Sequence, residues 1–411
     1  MPFAEIPTPF QDEPEPETPD ASVGLLIGVV GLCSFASTVS MRLIDPLVPL
    51  IASGFDRGLT EVAMLMPVFT LSYALGQPFI GPVADSFGKV RVIAVSLAIL
   101  AVFQLAGAFA PNFETLALLR GLSGIAAGGI IPVAMAAIAD RVTMVDRQVA
   151  LSRLLSAMVM GQVTGSLMAG LVGDYAGWRI AFIAPAVISA AASLMAFVLL
   201  KPRANARRNP LDPASVLERY RGVLSNPQAG RLLCLVLFEG VGVFAIFPFM
   251  AELLQRRGAI GSSEAGIAIA VFGLGGLLYT LIAKWLLANL GTTRMCQIGG
   301  SILAGVLIAL TLPLPRWSAP LLLGLMGLGY YLIHSTYQTQ ATELSTSARS
   351  SAMALFACCL FMGTALGPIA MAFLRQWLEL ESAILLYAAI VAVLGFVSGP
   401  VLGLKTAYRP R

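Results

Sequence analysis

Charge is what this chain has least of. Of its 411 residues only 12% are Asp, Glu, Lys or Arg and 57% are hydrophobic, whereas soluble domains carry about 25% charged residues. That shortage excludes an ordinary water-soluble domain, which would expose large apolar patches. The mean hydropathy of +0.84 makes lipid the natural solvent. Histidine is nearly missing too, with His334 alone. The five cysteines, Cys33, Cys234, Cys296, Cys358 and Cys359, sit in apolar runs without metal-ligand spacing. Neither a metal site nor a disulfide framework is expected, and small packing residues are the plain reading. There is no nucleophile elbow, phosphate loop or cofactor motif, and Ser335 beside His334 lacks a positioned acid. An enzyme and a bound cofactor are therefore not expected. The net charge of +4 comes from bases scattered through short loops, so nucleic acid is no partner. Residues 1–21 hold six acids, six prolines and no Lys or Arg. A secretory signal would begin basic, so this stretch reads as a disordered acidic tail.

What the chain does have is long apolar runs. A membrane helix needs about 20 such residues. Twelve runs qualify, at 22–50, 60–82, 90–110, 114–139, 148–172, 178–200, 229–254, 264–288, 294–313, 317–341, 350–374 and 381–403. The fold class expected is an all-α membrane protein, with short loops joining antiparallel neighbours. With both termini cytoplasmic, eighteen Lys and Arg fall on the inner side and six on the outer, the bias found in membrane proteins. The small-molecule traffic and lipid surroundings implied by such a bundle leave it expected to work as a monomer.

The chain also repeats itself. At an offset of 202 residues Pro46 meets Pro248, Ala139 meets Ala341, Arg147 meets Arg349, Gly161 meets Gly363 and Gly165 meets Gly367. One residue further, Gly88 meets Gly291 and Arg91 meets Arg294. Two matched units of six spans are a common transporter plan. They give an acidic tail at 1–21, one six-helix bundle at 22–200, a linker at 201–228, a second bundle at 229–404 and a tail at 405–411. In the linker, Asp212-Pro213 looks like a helix start. Val216, Leu217, Tyr220, Val223 and Leu224 share one face, as a helix lying on the membrane surface would have them.

The turn after the second run reads Gly81-Pro82-Val83-Ala84-Asp85-Ser86-Phe87-Gly88-Lys89-Val90-Arg91. Gly88 suits a positive φ, and an acid with two bases at a helix end can latch helices in one state and release them in another. The stretch resembles the inner-loop signature of the major facilitator superfamily through Gly81, Asp85, Gly88 and Lys89. Ser86 replaces the first base, and Arg91 comes one place late. Arg120-Gly121-Leu122-Ser123-Gly124 resembles a pattern of the family's drug and metabolite proton antiporters, with Ser123 for glutamine. Asp140 and Arg147 are also like the family. Gly161, Gly165, Ala169 and Gly170 resemble the antiporter signature, although Ser166 stands where the pattern has proline. The resemblance implies two pseudo-symmetric six-helix bundles, proton-coupled efflux of a small organic molecule, and a conformational latch of Gly81, Asp85, Gly88, Lys89, Arg91, Asp140 and Arg147. The repeated glycines themselves allow two readings, fixed close packing or a smooth surface for rocking.

Ionisable residues inside spans are costly and so are functional candidates. Arg42 and Asp45 share a face of the first span just before Pro46, and Arg120 lies at similar depth in the fourth. Asp45 can pair with either, as a fixed ion pair or as a site that trades partners with substrate or proton. Glu239 lies near the middle of the seventh span, where desolvation disfavours a charged carboxyl. It is the sharper candidate for proton exchange; a neutral, hydrogen-bonded acid is the alternative. The tenth span is unusually polar, with Tyr330, Tyr331, His334, Tyr337 and Gln338, side chains that can orient a substrate. Tyr73, Gln77, Gln104, Gln162 and Tyr279 are weaker cavity candidates. A lone buried histidine is more often structural than functional, with substrate or proton contact as the other reading. Proton-coupled uptake or passive carriage of a sugar or other metabolite, and a non-transporting scaffold or sensor, stay open as alternatives to efflux.

Overall fold

In lipid every backbone polar group must find its partner within the protein, so long apolar runs become helices. The computed structural model describes residues 21–142, 144–200, 213–258, 261–345 and 348–404, and no strand occurs among them. The tails at 1–20 and 405–411 and the start of the linker at 201–212 lie outside the described residues. Among the described residues, eleven stretches are long and apolar enough to cross a membrane: Val23–Phe55, Leu59–Ile80, Lys89–Ala108, Phe113–Ala139, Arg153–Ala176, Trp178–Leu199, Pro227–Arg256, Ser263–Ala283, Trp285–Thr311, Ser351–Leu374 and Leu380–Leu402. One further crossing, Ala319–Glu343, has the length, but its polar and aromatic second half keeps it outside that group. These twelve crossings, numbered in chain order, are the spans named below.

Prolines accompany breaks in three spans. Pro46 ends the first helix at Met41, and a short 3-10 turn, Asp45–Leu47, leads into Val48–Phe55. Pro248 does the same to the seventh span, between Pro227–Phe244 and Met250–Arg256. In the fourth span the break falls between Phe113–Gly128 and Ile131–Ala139. Proline has no N–H, so the carbonyl four residues earlier loses its helical donor. At Gly128 that loss is made good by Gln77, whose Nε2 donates to Gly128 O at 3.0 Å. The sharp turns need positive φ, and glycine supplies it: Gly88 has φ 94° and Gly291, between the eighth and ninth spans, has φ 70°.

The internal repeat reappears as matched packing. A side chain on Gly161 or Gly165 would strike the backbone of Phe35 or Val39 in the first span. One on Gly363 or Gly367 would strike Leu237 or Val241 in the seventh. Glycines and targets are displaced alike, by 202 residues (363 minus 161, 237 minus 35). Gly124 on Phe69 and Gly327 on Phe272 form a second such pair. Close backbone approach is how helices associate in lipid.

The halves meet along two seams, the fifth span on the eighth and the second on the eleventh, where Tyr73 lies 4.2 Å from Phe361 between ring centroids. One hydrophobic core runs through the second half and continues into Leu43–Ile51, Val62–Leu65 and Trp178–Phe182 of the first. A separate core fills the first half nearer the termini. The halves are thus fused at the end far from the termini. Between them, Pro213–Leu224 forms a helix. Its Tyr220 hydroxyl donates to Pro78 O at 3.1 Å, and burial pushes that phenol's pKa up.

Candidate functional site

The broken ends of the first and seventh spans bring one charged cluster to the boundary between halves. Arg42 Nη1 lies 3.3 Å from Asp45 Oδ2, with the side chains 4% and 0% exposed. The three-residue spacing puts both on one helical face. The Arg42 guanidinium also crosses to the other half, 4.7 Å from the centroids of both Phe244 and Phe247. Desolvated cation–π contacts of this kind are worth about 2 kcal/mol. Arg120 does not reach Asp45. It lies over the Phe69 ring at 4.3 Å and donates to Ser40 O at 3.4 Å, close enough to Asp45 for a Coulombic pull. Asp45 Oδ1 and Arg120 Nε and Nη2 are buried and find no hydrogen-bond partner among the described residues. One carboxylate thus stands between two guanidiniums, with capacity left on each side.

A second cluster lies in the other half. Glu239 Oε2 is 3.3 Å from His334 Nδ1, joining the seventh and tenth spans. Glu239 is fully buried and its Oε1 has no partner among the described residues. The His334 ring stacks on Tyr330 at 4.8 Å and faces Phe356 at 5.3 Å. Tyr330 meets Phe244 edge-on at 5.2 Å. A continuous track of charges and rings therefore runs from Asp45 through Arg42, Phe244, Tyr330 and His334 to Glu239.

The remaining candidates scatter. Tyr331 packs against Tyr330 and Tyr279, and the Tyr279 hydroxyl lies 2.6 Å from Ser335 Oγ. Tyr337 turns to the twelfth span, its hydroxyl 2.5 Å from Ser398 Oγ. Gln162 and Gln338 are half-buried. Gln77 donates to Gly128 O while its buried Oε1 finds no partner among the described residues, and Tyr73 packs at the seam with Phe361. Gln104 is buried, its Oε1 accepting from Ser189 Oγ at 3.5 Å. At the terminus-side end Lys89 Nζ reaches Asp140 Oδ2 at 2.6 Å, while Arg91 is exposed. Gly81, Asp85 and Arg147 lie on helices, but the surroundings of Gly81 and the side chains of Asp85 and Arg147 fall outside the described part of the structure.

Sequence reasoning passed over Phe244, Phe247 and Phe356, because a phenylalanine in a span is indistinguishable from packing. It also passed over Asp174 and Glu252. Glu252 is buried and receives Arg375 on both oxygens, at 2.6 and 2.7 Å. Its spacing from Arg256, four residues on, was the available signal.

The Major Facilitator Superfamily model matches residues 30–348 and 232–410. The MFS-type transporter YceJ of Bacillus subtilis (strain 168) is 25% identical over 360 residues, covering 86% of this chain and 90% of its own. The inner membrane transport protein YnfM of Escherichia coli (strain K12) is 23% identical over 270 residues, covering 66% of this chain and 62% of its own. Among solved structures, a bacterial homologue of the human lysosomal transporter Spinster, inward-facing and unoccupied, superposes with a TM-score of 0.72 at 18% identity, covering 96% of this chain and all of that one. The nucleoside transporter NupG gives a TM-score of 0.76 at 14% identity, covering 92% of this chain and 99% of that one. At those identities the structures speak for the fold. The matched halves, the two broken spans that meet between them and the family model agree: this chain is a multi-pass membrane transporter of the Major Facilitator Superfamily.

Proposed function

We propose that this transporter is a secondary active carrier that exports a small organic molecule in exchange for protons, by alternating access. The buried Glu239–His334 pair carries the reading. A carboxyl with one oxygen on an imidazole and the other unpartnered can take or release a proton with little rearrangement. Each protonation state changes the charge buried inside the membrane, where charge is most costly. Arg42 supplies the link to movement. It belongs to the first half but rests on two rings of the second. Opening the far end must draw the guanidinium off Phe244 and Phe247 and rearrange its pairing with Asp45. Arg120, with donors to spare beside Asp45, is placed to take the carboxylate over. The substrate site then lies between the clusters, bounded by Tyr330, Tyr331 and His334, with protons as the coupling ion and lipid all around.

Both termini face the cytoplasm of a plasma, or bacterial inner, membrane, in keeping with the distribution of Lys and Arg. The fused far end is then the outer gate, and the side open to substrate is the cytoplasmic one. Lys89 and Asp140, with Asp85 and Arg147 nearby in sequence, form the latch of the inner side. The experiment is transport in proteoliposomes. A substrate panel is screened by counterflow, and flux is measured with and without an imposed pH gradient. Proton-driven efflux that is lost in Glu239→Gln is expected. Flux indifferent to the pH gradient overturns proton coupling, and no counterflow of any compound favours a scaffold or sensor.

A second reading, proton-coupled uptake or passive carriage of a sugar or other metabolite, has one observation in its favour. The fifth span is an unbroken helix, Met144–Ala176, and the buried Ser166 packs where the antiporter pattern has a helix-breaking proline. The sign of the flux in the same vesicles separates the two.

A further inference from the structure

The end of the bundle far from the termini is closed by more than apolar packing. Asp174, at the end of the fifth span, accepts hydrogen bonds from the backbone N–H groups of Ser262 and Ser263, at 2.6 and 2.7 Å. These two amides open the eighth span, in the other half. A helix N-terminus has amides without intrahelical partners and a partial positive charge. Asp174 therefore caps, from one half, a helix that belongs to the other. The neighbouring backbone is shaped for it. A side chain on Gly261 would run into the Asp174 carboxylate, and one on Gly170 would run into the backbone of Ser262, Ser263 and Gly266.

The second seam carries the related contact. Arg375, at the end of the eleventh span, reaches Thr60 Oγ1 at the start of the second, at 3.4 Å. Thr60 and Ser262 are 202 residues apart and Asp174 and Arg375 are 201 apart, so the two contacts are equivalent in the internal repeat. They are unequal in strength. Asp174 makes two short, charge-assisted bonds to amides, while Arg375 makes one long bond to a hydroxyl and spends its fork on Glu252 of its own half.

We propose that Asp174 is the principal clasp of the far-end gate, a positioning residue whose release from the eighth span must accompany each opening on that side, with Arg375–Thr60 as its weaker counterpart. The clasp needs neither substrate nor proton, so its test is independent of the coupling mechanism. Spin labels are placed on Tyr175→Cys and Trp377→Cys, both exposed at the far end of opposite halves, in the full chain with its five cysteines replaced, in lipid nanodiscs. Double electron–electron resonance then reads the distance across the gate. Asp174→Ala should raise the ratio of far-end-open to closed molecules by about fivefold, the factor corresponding to loss of one helix cap. Asp174→Asn should give an intermediate distribution, because its amide oxygen can accept one of the two N–H groups but its NH2 cannot accept the other. Arg375→Ala should shift the ratio less. If Asp174→Ala does not yield folded protein, Gly261→Ala serves the same test by pushing the carboxylate away. An unchanged distance distribution in the disrupted variant, or a larger shift in Arg375→Ala, overturns the proposal.

Discussion

Glu239 and His334 lie 95 residues apart in the chain and 3.3 Å apart in the structure, across the seventh and tenth spans. Each was a candidate by itself, one as an isolated acid and the other as the sole histidine. Together they make a unit that can hold one proton between an imidazole and a carboxyl. Glu239→Gln keeps the shape and removes the exchange. Proton-driven flux is expected to fall by about tenfold or more, the factor carried by one charge-assisted hydrogen bond. Passive counterflow of the same substrate should survive. Proteoliposome assays with and without a pH gradient check both halves of the statement, and loss of both together would point to misfolding.

Arg42 and Asp45 are buried partners. Removing one partner of a buried pair leaves an uncompensated charge, at a cost of about 3–5 kcal/mol. Arg42→Gln should therefore lower thermal stability in detergent strongly. The double variant Arg42→Gln with Asp45→Asn should recover much of the loss. A double variant no more stable than the single one would show that Arg42 acts through its Phe244 and Phe247 contacts instead.

Lys89 and Asp140 form an ion pair whose acid is exposed, and such pairs contribute roughly 0–1 kcal/mol. Asp140→Asn should leave the unfolding temperature almost unchanged while altering the rate of transport. The charge swap, Lys89→Asp with Asp140→Lys, should bring the rate back toward that of the parent. A stability loss equal to the change in rate, read by thermal unfolding, would make the pair structural only.

Gly161 and Gly28 offer a matched test of close packing. A methyl group on Gly161 would meet Thr38 and the Phe35 carbonyl, whereas one on Gly28 has open space around it. Overpacking costs about 1–3 kcal/mol. Gly161→Ala should lower the unfolding temperature and Gly28→Ala should not. Similar behaviour of the two variants would disprove the first–fifth span contact.

Tyr220 ties the linker helix to the second span through Pro78 O. Tyr220→Phe should weaken that attachment by about 1 kcal/mol, read as faster proteolysis within the linker. Burial raises the phenol's pKa above its unfolded value. Its neutral form is thus favoured by folding: the contribution is fully present below the unfolded pKa and is lost as pH rises through the higher folded value. Linker protection should hold through neutral pH and fail in alkali, and the Phe variant should lack that alkaline step.

Much of the architecture was legible in the residues. Apolar runs of bilayer length admit little besides helices, and the offset between Pro46 and Pro248 or Gly161 and Gly363 already contained the two-fold plan. The span least visible by hydropathy, Ala319–Glu343, carries His334 and Tyr330, since the groups that serve a site dilute the signal that marks a span. The site itself was legible only as a set of suspects. Arg42 with Asp45 could be paired by spacing alone, because i and i+3 share a helix face. Gln77 with Gly128 could not, nor could Tyr337 with Ser398.

The sequence alone determined that this protein lives in lipid, that it crosses it with helices, and that it is built twice over, because period, length and repetition are local properties of a chain. Only the tertiary structure decided that Arg42 leans on rings of the opposite half, that Glu239 meets His334, and that Asp174 caps a helix 88 residues away. Those choices depend on which helices become neighbours and how each is rotated about its axis. Backbone contact at the glycines sets both, and no span carries that information by itself.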